Sequence, residues 1–180
     1  MNATEIKFGG FGGQGVILAG IIIGRAASIY NNKFATLTQS FGPEARGSAC
    51  SAQVIISDNK ILYPYVVKPE ILLAMSQEAC NKFLPETTDN ATVIIEEDLV
   101  KPKGLKPGMK VYGIPATRLA EELGRKMILN IVMVGFFTSV TKLVDYEAVK
   151  EAVQVSVPQG TEMMNLKAFD RGYQYGLSLK

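Results

Sequence analysis

Gly10-Phe11-Gly12-Gly13-Gln14-Gly15 is the segment of this chain best placed to do chemistry. Its G-x-G-x-x-G spacing follows a short strand pattern, Thr4 to Phe8, and precedes an apolar stretch from Val16 to Ile29, a strand, turn and helix context. Glycines there allow a tight turn and close backbone approach, and the free N–H groups at a helix start hold a phosphate or another anion. The same glycines also suit a purely structural end, letting the helix pack close to a sheet or a partner's backbone pass. Both readings stand at this level.

A second candidate begins at Ser40 and runs through Phe41-Gly42-Pro43-Glu44-Ala45-Arg46-Gly47-Ser48. The proline and glycines prevent regular structure, and the segment follows the carboxyl end of a strand pattern, Phe34 to Ser40, where open α/β sheets bind ligands. The Arg46 guanidinium can grip a phosphate or carboxylate bidentately, or pair locally with Glu44. Cys50 lies close behind, and its strand setting makes it a structural thiol.

What is missing narrows the chemistry further. A dinucleotide site needs an acidic residue about 20 positions past the glycines to bind ribose hydroxyls. No aspartate or glutamate stands between Glu5 and Glu44, and no Lys-Ser or Lys-Thr follows the glycines as a phosphate-binding P-loop requires. A Rossmann-like shape with altered ligand chemistry is therefore expected. The chain has no histidine, which removes the commonest general base, every Ser-His or Cys-His nucleophile pair and the commonest zinc ligand. Two cysteines, Cys50 and Cys80, are too few for an iron-sulfur cluster and form no C-x-x-C pair.

The elements that must position these loops read as alternating strands and helices. Strands are expected at Ala52 to Ser57 and Lys60 to Tyr63, forming an inserted hairpin through Asp58-Asn59, and at Ile71 to Met75, Ala91 to Glu96 and Lys110 to Gly113. Helices are expected at Gln77 to Phe83, Pro115 to Leu123, Met127 to Leu143 and Asp145 to Val153. The apolar Met127 to Val140 run is either core or a contact face, and the tail from Lys167 to Lys180 carries too little apolar surface to fold alone. This pattern predicts an α/β fold, a Rossmann-like open sheet with flanking helices and an inserted β-hairpin, in a single domain over residues 1–180.

Composition supports one folded domain: 180 residues suffice for one good core, and 47% hydrophobic with 20% charged residues is too apolar for a disordered chain. A net charge of +2 gives no strong overall field to attract nucleic acid, although it leaves local basic patches open. Arg25 ends the first apolar stretch well short of the roughly 20 residues a membrane span needs. With no basic, apolar leader at Met1 to Glu5, the chain reads as cytoplasmic.

Six segments in order carry a resemblance: Gly10 to Val16, Phe41 to Gly47, Tyr63-Pro64, Ser76-Gln77-Glu78-Ala79, Pro115-Ala116-Thr117 and Asn165-Leu166-Lys167-Ala168-Phe169. Over nearly its whole length the chain resembles the gamma subunits of 2-oxoacid:ferredoxin oxidoreductases, the 2-oxoglutarate members above all. It departs at Phe41, where tyrosine is common, and at Ser48, where a second glycine often follows Arg-Gly. The resemblance implies a multisubunit enzyme that oxidatively decarboxylates a 2-oxoacid, forms an acyl-CoA and passes electrons to ferredoxin.

Thiamine diphosphate, Mg2+ and the iron-sulfur clusters are then expected on partner subunits, consistent with the two cysteines and the absence of a Gly-Asp-Gly thiamine motif here. This subunit is expected to have no catalytic residue and to form the coenzyme A side of the cavity through Gly10, Gly12, Gly13, Gln14, Gly15, Ser40, Gly42, Pro43, Glu44, Arg46 and Gly47. The alternatives are the smaller subunit of an indolepyruvate:ferredoxin oxidoreductase and a purely structural scaffold subunit. An independent nucleotide-dependent oxidoreductase is disfavoured by the missing acid and histidine.

Overall fold

The computed structural model describes residues 3–41 and 49–179. Six strands form one mixed sheet in the order β2-β3-β1-β4-β5-β6: β1 (Ala3–Phe11), β2 (Phe34–Ser40), β3 (Ala49–Ser57), β4 (Ile71–Ala74), β5 (Thr92–Glu96) and β6 (Lys110–Ile114). β3 runs antiparallel to both its neighbours, and the β1-β4-β5-β6 pairs are parallel. The carboxyl ends of β1, β2, β4, β5 and β6 therefore lie along one edge, with the amino end of β3 among them.

The central strands are apolar at nearly every position because both faces are covered. On β4, Ile71 and Leu73 enter the larger core while Leu72 and Ala74 enter the smaller one. The larger core lies under α1 (Val16–Arg25), α3 (Ala116–Glu122), α4 (Leu129–Thr141), α5 (Tyr146–Ser156) and α6 (Glu162–Ser178). On the other face α2 (Gln77–Phe83) contributes Ala79, Cys80 and Phe83. Ser76 starts α2 by accepting a hydrogen bond from the Ala79 N–H at 3.2 Å, the N-cap that its position before the helix calls for.

The open α/β sheet and the five expected helices are present, with two differences from the sequence reading. The hairpin through Asp58-Asn59 does not form. β3 is paired along both edges, with β1 residues 3–11 and β2 residues 34–40, so no edge remains for a strand at 60–63. Instead the antiparallel hairpin is β2-β3, and residues beyond Ser57 cross the sheet without regular structure. The Val67 and Lys68 N–H groups donate to the Glu5 carboxylate at 2.7 Å, and Thr36 Oγ1 donates to the Pro64 carbonyl at 3.3 Å.

The second difference is α6. Its own apolar content is modest, too little for the tail from Lys167 to fold alone, yet it is the last helix and packs closely on α4. A Cβ at Gly172 would stand 1.9 Å from the Val132 carbonyl oxygen, and one at Gly135 would stand 2.0 Å from the Phe169 carbonyl oxygen. The two helices thus meet backbone to backbone, which supplies dispersion contacts that side-chain hydrophobicity does not reveal. α4 itself is buried from Leu129 through Ser139 and is core, as an all-round apolar helix requires. Its hydroxyls stay satisfied, Thr138 donating to the Val134 carbonyl at 2.8 Å and Ser139 to the Phe136 carbonyl at 2.9 Å.

One buried acid opposes this stability. Glu96, at the end of β5, is fully buried, with the Thr117 N–H 3.4 Å from Oε1 and no donor to Oε2 among the described residues. Burial pushes its carboxyl above the ordinary glutamate range, and the Asp98 carboxylate adds to the rise; N–H donation from Thr117, Leu99 and Asp98 offsets part of it. The folded state therefore holds this proton to higher pH than the unfolded state does. Stability from this group is lost as pH rises from the ordinary value of 4.5 through the raised one.

Two predictions follow from the packing and the acid. Gly172→Ala should cost about 3 kcal/mol or more and lower the Tm by roughly 6–12 °C. Gly24→Ala, whose Cβ would meet nothing nearer than Val54 Cγ1 at 4.0 Å, should be neutral or stabilising by about 0.5–1 kcal/mol. Equal losses in thermal denaturation would contradict the close α4–α6 contact. For the acid, urea titrations should find Glu96→Gln more stable than the parent at neutral pH, the gap closing below the ordinary glutamate range; a pH-independent gap would contradict it.

Candidate functional site

The glycine segment divides into strand and turn. Gly10 and Phe11 belong to β1 and pair with Cys50 and Ala49 of β3, so the turn itself is Gly12 to Gly15, with α1 starting at Val16. Gly13 and Gly15 have φ of 93° and 72°, a region that costs residues with a Cβ roughly 1–2 kcal/mol. Space adds a second constraint at Gly15, where a Cβ would stand 2.3 Å from Asn130 Nδ2; at Gly13 nothing lies within 4 Å. Gly15 is glycine for conformation and contact, Gly13 for conformation alone.

Gln14 braces the turn from inside. Its Oε1 accepts from the Phe11 N–H at 2.7 Å, and its Nε2 donates to the Met75 carbonyl at 3.1 Å, tying the end of β1 to the residue after β4. The Gln14 N–H also donates to the Phe11 carbonyl at 3.1 Å. Gln14 is therefore a structural member of the candidate set, its polar atoms engaged with the backbone.

Ser40 lies in the same row of the sheet, opposite Ser51, which in turn faces Gly9. Two strand spacings, roughly 10 Å, separate it from the glycine segment, so the structure brings Ser40 to the same edge without direct contact. Gly42, Pro43, Glu44, Arg46 and Gly47 lie outside the described residues. The flanks of that segment are fixed: β2 ends at Ser40, and β3 resumes at Ala49 directly opposite Phe11.

Both cysteines are buried and free. Burial pushes the Cys50 thiol up, a backbone hydrogen bond offsetting part of the rise, and burial alone pushes up Cys80. Such thiols hold little thiolate and make poor nucleophiles, in keeping with a structural Cys50. Among the described residues no group of three or more potential metal-ligating side chains comes together, and no helix is long and apolar enough to cross a membrane.

The turn opens on a cavity of about 250 Å³ that the sequence reading did not identify. Three helix starts meet at it: Gly15 before α1, Thr161 before α6, and Arg125 before the 3-10 turn Lys126–Ile128 that leads into α4. None of the three is capped by a side chain. Asn130 Nδ2 donates to the Gly15 carbonyl at 3.3 Å and so joins α4 to the turn. Asn165 Nδ2 donates to the Thr161 carbonyl and Oγ1 at 2.9 and 3.0 Å. Leu18, Ile128 and Met164 make the walls largely apolar. Asn165 lay within a segment that the resemblance singled out; Arg125 had no motif to mark it, because its place depends on the helix packing.

Comparison with known proteins places this geometry. The family described as pyruvate ferredoxin/flavodoxin oxidoreductase matches residues 5–175. The chain belongs to that family. It is 46% identical to the 2-oxoglutarate synthase subunit KorC of Methanocaldococcus jannaschii, over 97% of this chain and 95% of that one. The keto/oxoacid ferredoxin oxidoreductase gamma subunit from Geobacter sulfurreducens superposes with a TM-score of 0.89 at 36% identity, covering 99% and 98% of the two chains.

A 2-oxoglutarate:ferredoxin oxidoreductase from Magnetococcus marinus, solved with 2-oxoglutarate, coenzyme A and succinyl-CoA bound, shares the fold at a TM-score of 0.90 and 20% identity. All of this chain corresponds to 32% of that longer one. The same α/β fold thus occurs both as a separate chain and as about a third of a larger one.

The thiols offer a direct check of this region. Reaction with Ellman's reagent should be slow in the folded chain and release two equivalents only on denaturation. Rapid labelling of Cys50 in the folded state would show an activated or accessible thiol beside the glycine turn.

Proposed function

We propose that this chain is the gamma subunit of a cytoplasmic 2-oxoglutarate:ferredoxin oxidoreductase, a single gamma-type domain over residues 1–180 that forms the coenzyme A side of a cavity shared with catalytic subunits. The observation that carries this reading is the 46% identity to a 2-oxoglutarate synthase subunit across 97% of the chain. The glycine turn agrees with it chemically. Positive φ at Gly13 and Gly15 exposes the N–H groups of an uncapped helix start, which suits a phosphate, and the acid that would select a dinucleotide's ribose is missing.

The redox and carbanion chemistry belongs elsewhere in this reading. Thiamine diphosphate supplies the stabilised carbanion when bound, with Mg2+ and the iron-sulfur clusters, on the thiamine-binding and iron-sulfur partner subunits. Cys50 on β3 and Cys80 on α2 lie in separate cores and cannot jointly hold a cluster. This subunit contributes walls and backbone dipoles, with Gly12, Gly13 and Gly15 facing CoA phosphates and Arg46 adding charge from the segment after Ser40; electrons leave for ferredoxin through the partners.

CoA affinity of the assembled complex tests the proposal. Gly13→Val and Arg46→Ala should each weaken CoA binding about tenfold or more, the first by distorting the turn and the second by removing a charge-assisted hydrogen bond. Unchanged affinity with intact assembly would remove the binding role. Loss of assembly before any loss of affinity would favour a scaffold subunit whose turn seats a partner's chain.

A further inference from the structure

β2 closes one side of the sheet, and β3 is the strand that pairs with it. Alternate residues of a strand turn their N–H and C=O groups to opposite edges, so the outer edge of β2 carries a row of donors and acceptors. Among the described residues no backbone hydrogen bond reaches 34–40 except those shared with β3. The opposite side of the sheet is built differently. β6 has five residues, starts at Lys110, and follows a loop that carries Lys101, Pro102, Lys103, Lys106 and Pro107. Lysine and proline near an edge discourage pairing with another chain. β2 has seven residues, none of them charged and none proline. Large apolar side chains stand exposed at its two ends, Phe34 and Phe41.

We propose that β2 pairs with β2 of a second copy of this chain, antiparallel across a two-fold axis, joining two six-stranded sheets into one continuous sheet. The interface leaves the glycine turn out, so it stands or falls apart from CoA binding.

The register follows from geometry. A two-fold axis perpendicular to the sheet keeps the faces of both copies aligned, so opposed residues point to the same face. Side chains alternate between faces, so opposed residue numbers are both even or both odd, and one residue lies opposite itself. Only Leu37 in that place pairs the whole of both strands, since it is the middle of Phe34–Ser40. Phe34 then opposes Ser40 of the second copy, Ala35 opposes Gln39, and Thr36 opposes Thr38. No like charges meet, and threonine pairs are among the favourable cross-strand combinations. Each hydrogen-bonded pair exchanges two bonds, so the seven paired residues supply about six to eight.

Thr38 marks the same edge independently. Its Oγ1 is buried and has no hydrogen-bond partner among the described residues. Thr36 Oγ1 donates to the Pro64 carbonyl at 3.3 Å, which leaves its lone pairs free to accept. Rotation about χ1 brings the Thr38 hydroxyl to Thr36 of the second copy and satisfies a donor that is costly to leave unmet. Tyr63-Pro64, a segment to which the glycine site gives no role, thereby orients the Thr36 hydroxyl.

Sedimentation equilibrium of the full chain across a concentration series should show a species of twice the 19.5 kDa chain mass. Two cysteine variants read its register. Leu37→Cys should form a disulfide-linked dimer under mild oxidation, because directly opposed Cα atoms lie about 4.5–5.5 Å apart, within disulfide reach. Gln39→Cys should not, since the two copies of that position are about 13 Å apart along the strands. Random collision would give the reverse order, because Gln39 is exposed and Leu37 half-buried. The native Cys50 and Cys80 are buried and form no such link.

Charge reads the same register without a thiol. A35K/Q39K sets like charges against each other and should raise the dimer dissociation constant about tenfold or more over A35K/Q39E, which pairs opposite charges. Both carry the same change at Ala35, so its cost to folding cancels in the comparison.

A chain that stays monomeric at every concentration would overturn the proposal. So would a disulfide through Gln39→Cys without one through Leu37→Cys, or equal constants for the two charge variants. A monomer whose β2 gains hydrogen-exchange protection only when catalytic subunits are added would overturn it in favour of a partner subunit's strand.

Discussion

The contact between α4 and α6 sets what the rest of the molecule can do. Gly135 and Gly172 bring the two backbones to a separation no Cβ would tolerate. The starts of both helices reach the glycine turn: Asn130 of α4 touches Gly15, and Thr161 and Asn165 at the head of α6 line the same cavity.

The arrangement also accounts for a subunit with so little reactive chemistry of its own. Histidine is absent, the two thiols are buried with raised pKa values, and the fully buried acid, Glu96, lies on β5 under α3. What remains is shape and oriented peptide dipoles. In the proposed reading these bind a polyanionic substrate, because uncapped N–H groups in a partly apolar hollow keep more of their field than they would in open solvent. The same fold stands alone in one solved chain and makes up about one third of a longer one.

Much of this was legible in the residues. The β1 strand, the turn and the start of α1 followed from a glycine cluster between apolar runs, and β2, β4, β5, β6 and α2 fell close to their expected places. The β-hairpin was misplaced because Asp58-Asn59 is good turn chemistry, and local chemistry cannot register that β3 already has partners on both edges. α6 was missed because its affinity for α4 comes from what Gly172 and Gly176 lack, and a missing side chain leaves no hydrophobic period. Arg125, Asn130 and Thr161 gave no signal for the same reason. They are separated by up to 36 positions in the chain and meet only after four elements have packed. Gln14, one of the expected CoA-side residues, also braces the turn through the Phe11 N–H and the Met75 carbonyl.

The central claim is that the chain supplies a wall to a reaction whose reactive groups lie on its partners. Its most direct test is an assay of 2-oxoglutarate-dependent dye reduction, with visible absorption and iron content, on the purified chain and on the reconstituted complex. The account predicts no turnover, no iron and no chromophore for the chain alone, and CoA-dependent activity that requires the chain once the partners are present. Turnover by the isolated chain, or a redox centre bound to it, would contradict the account.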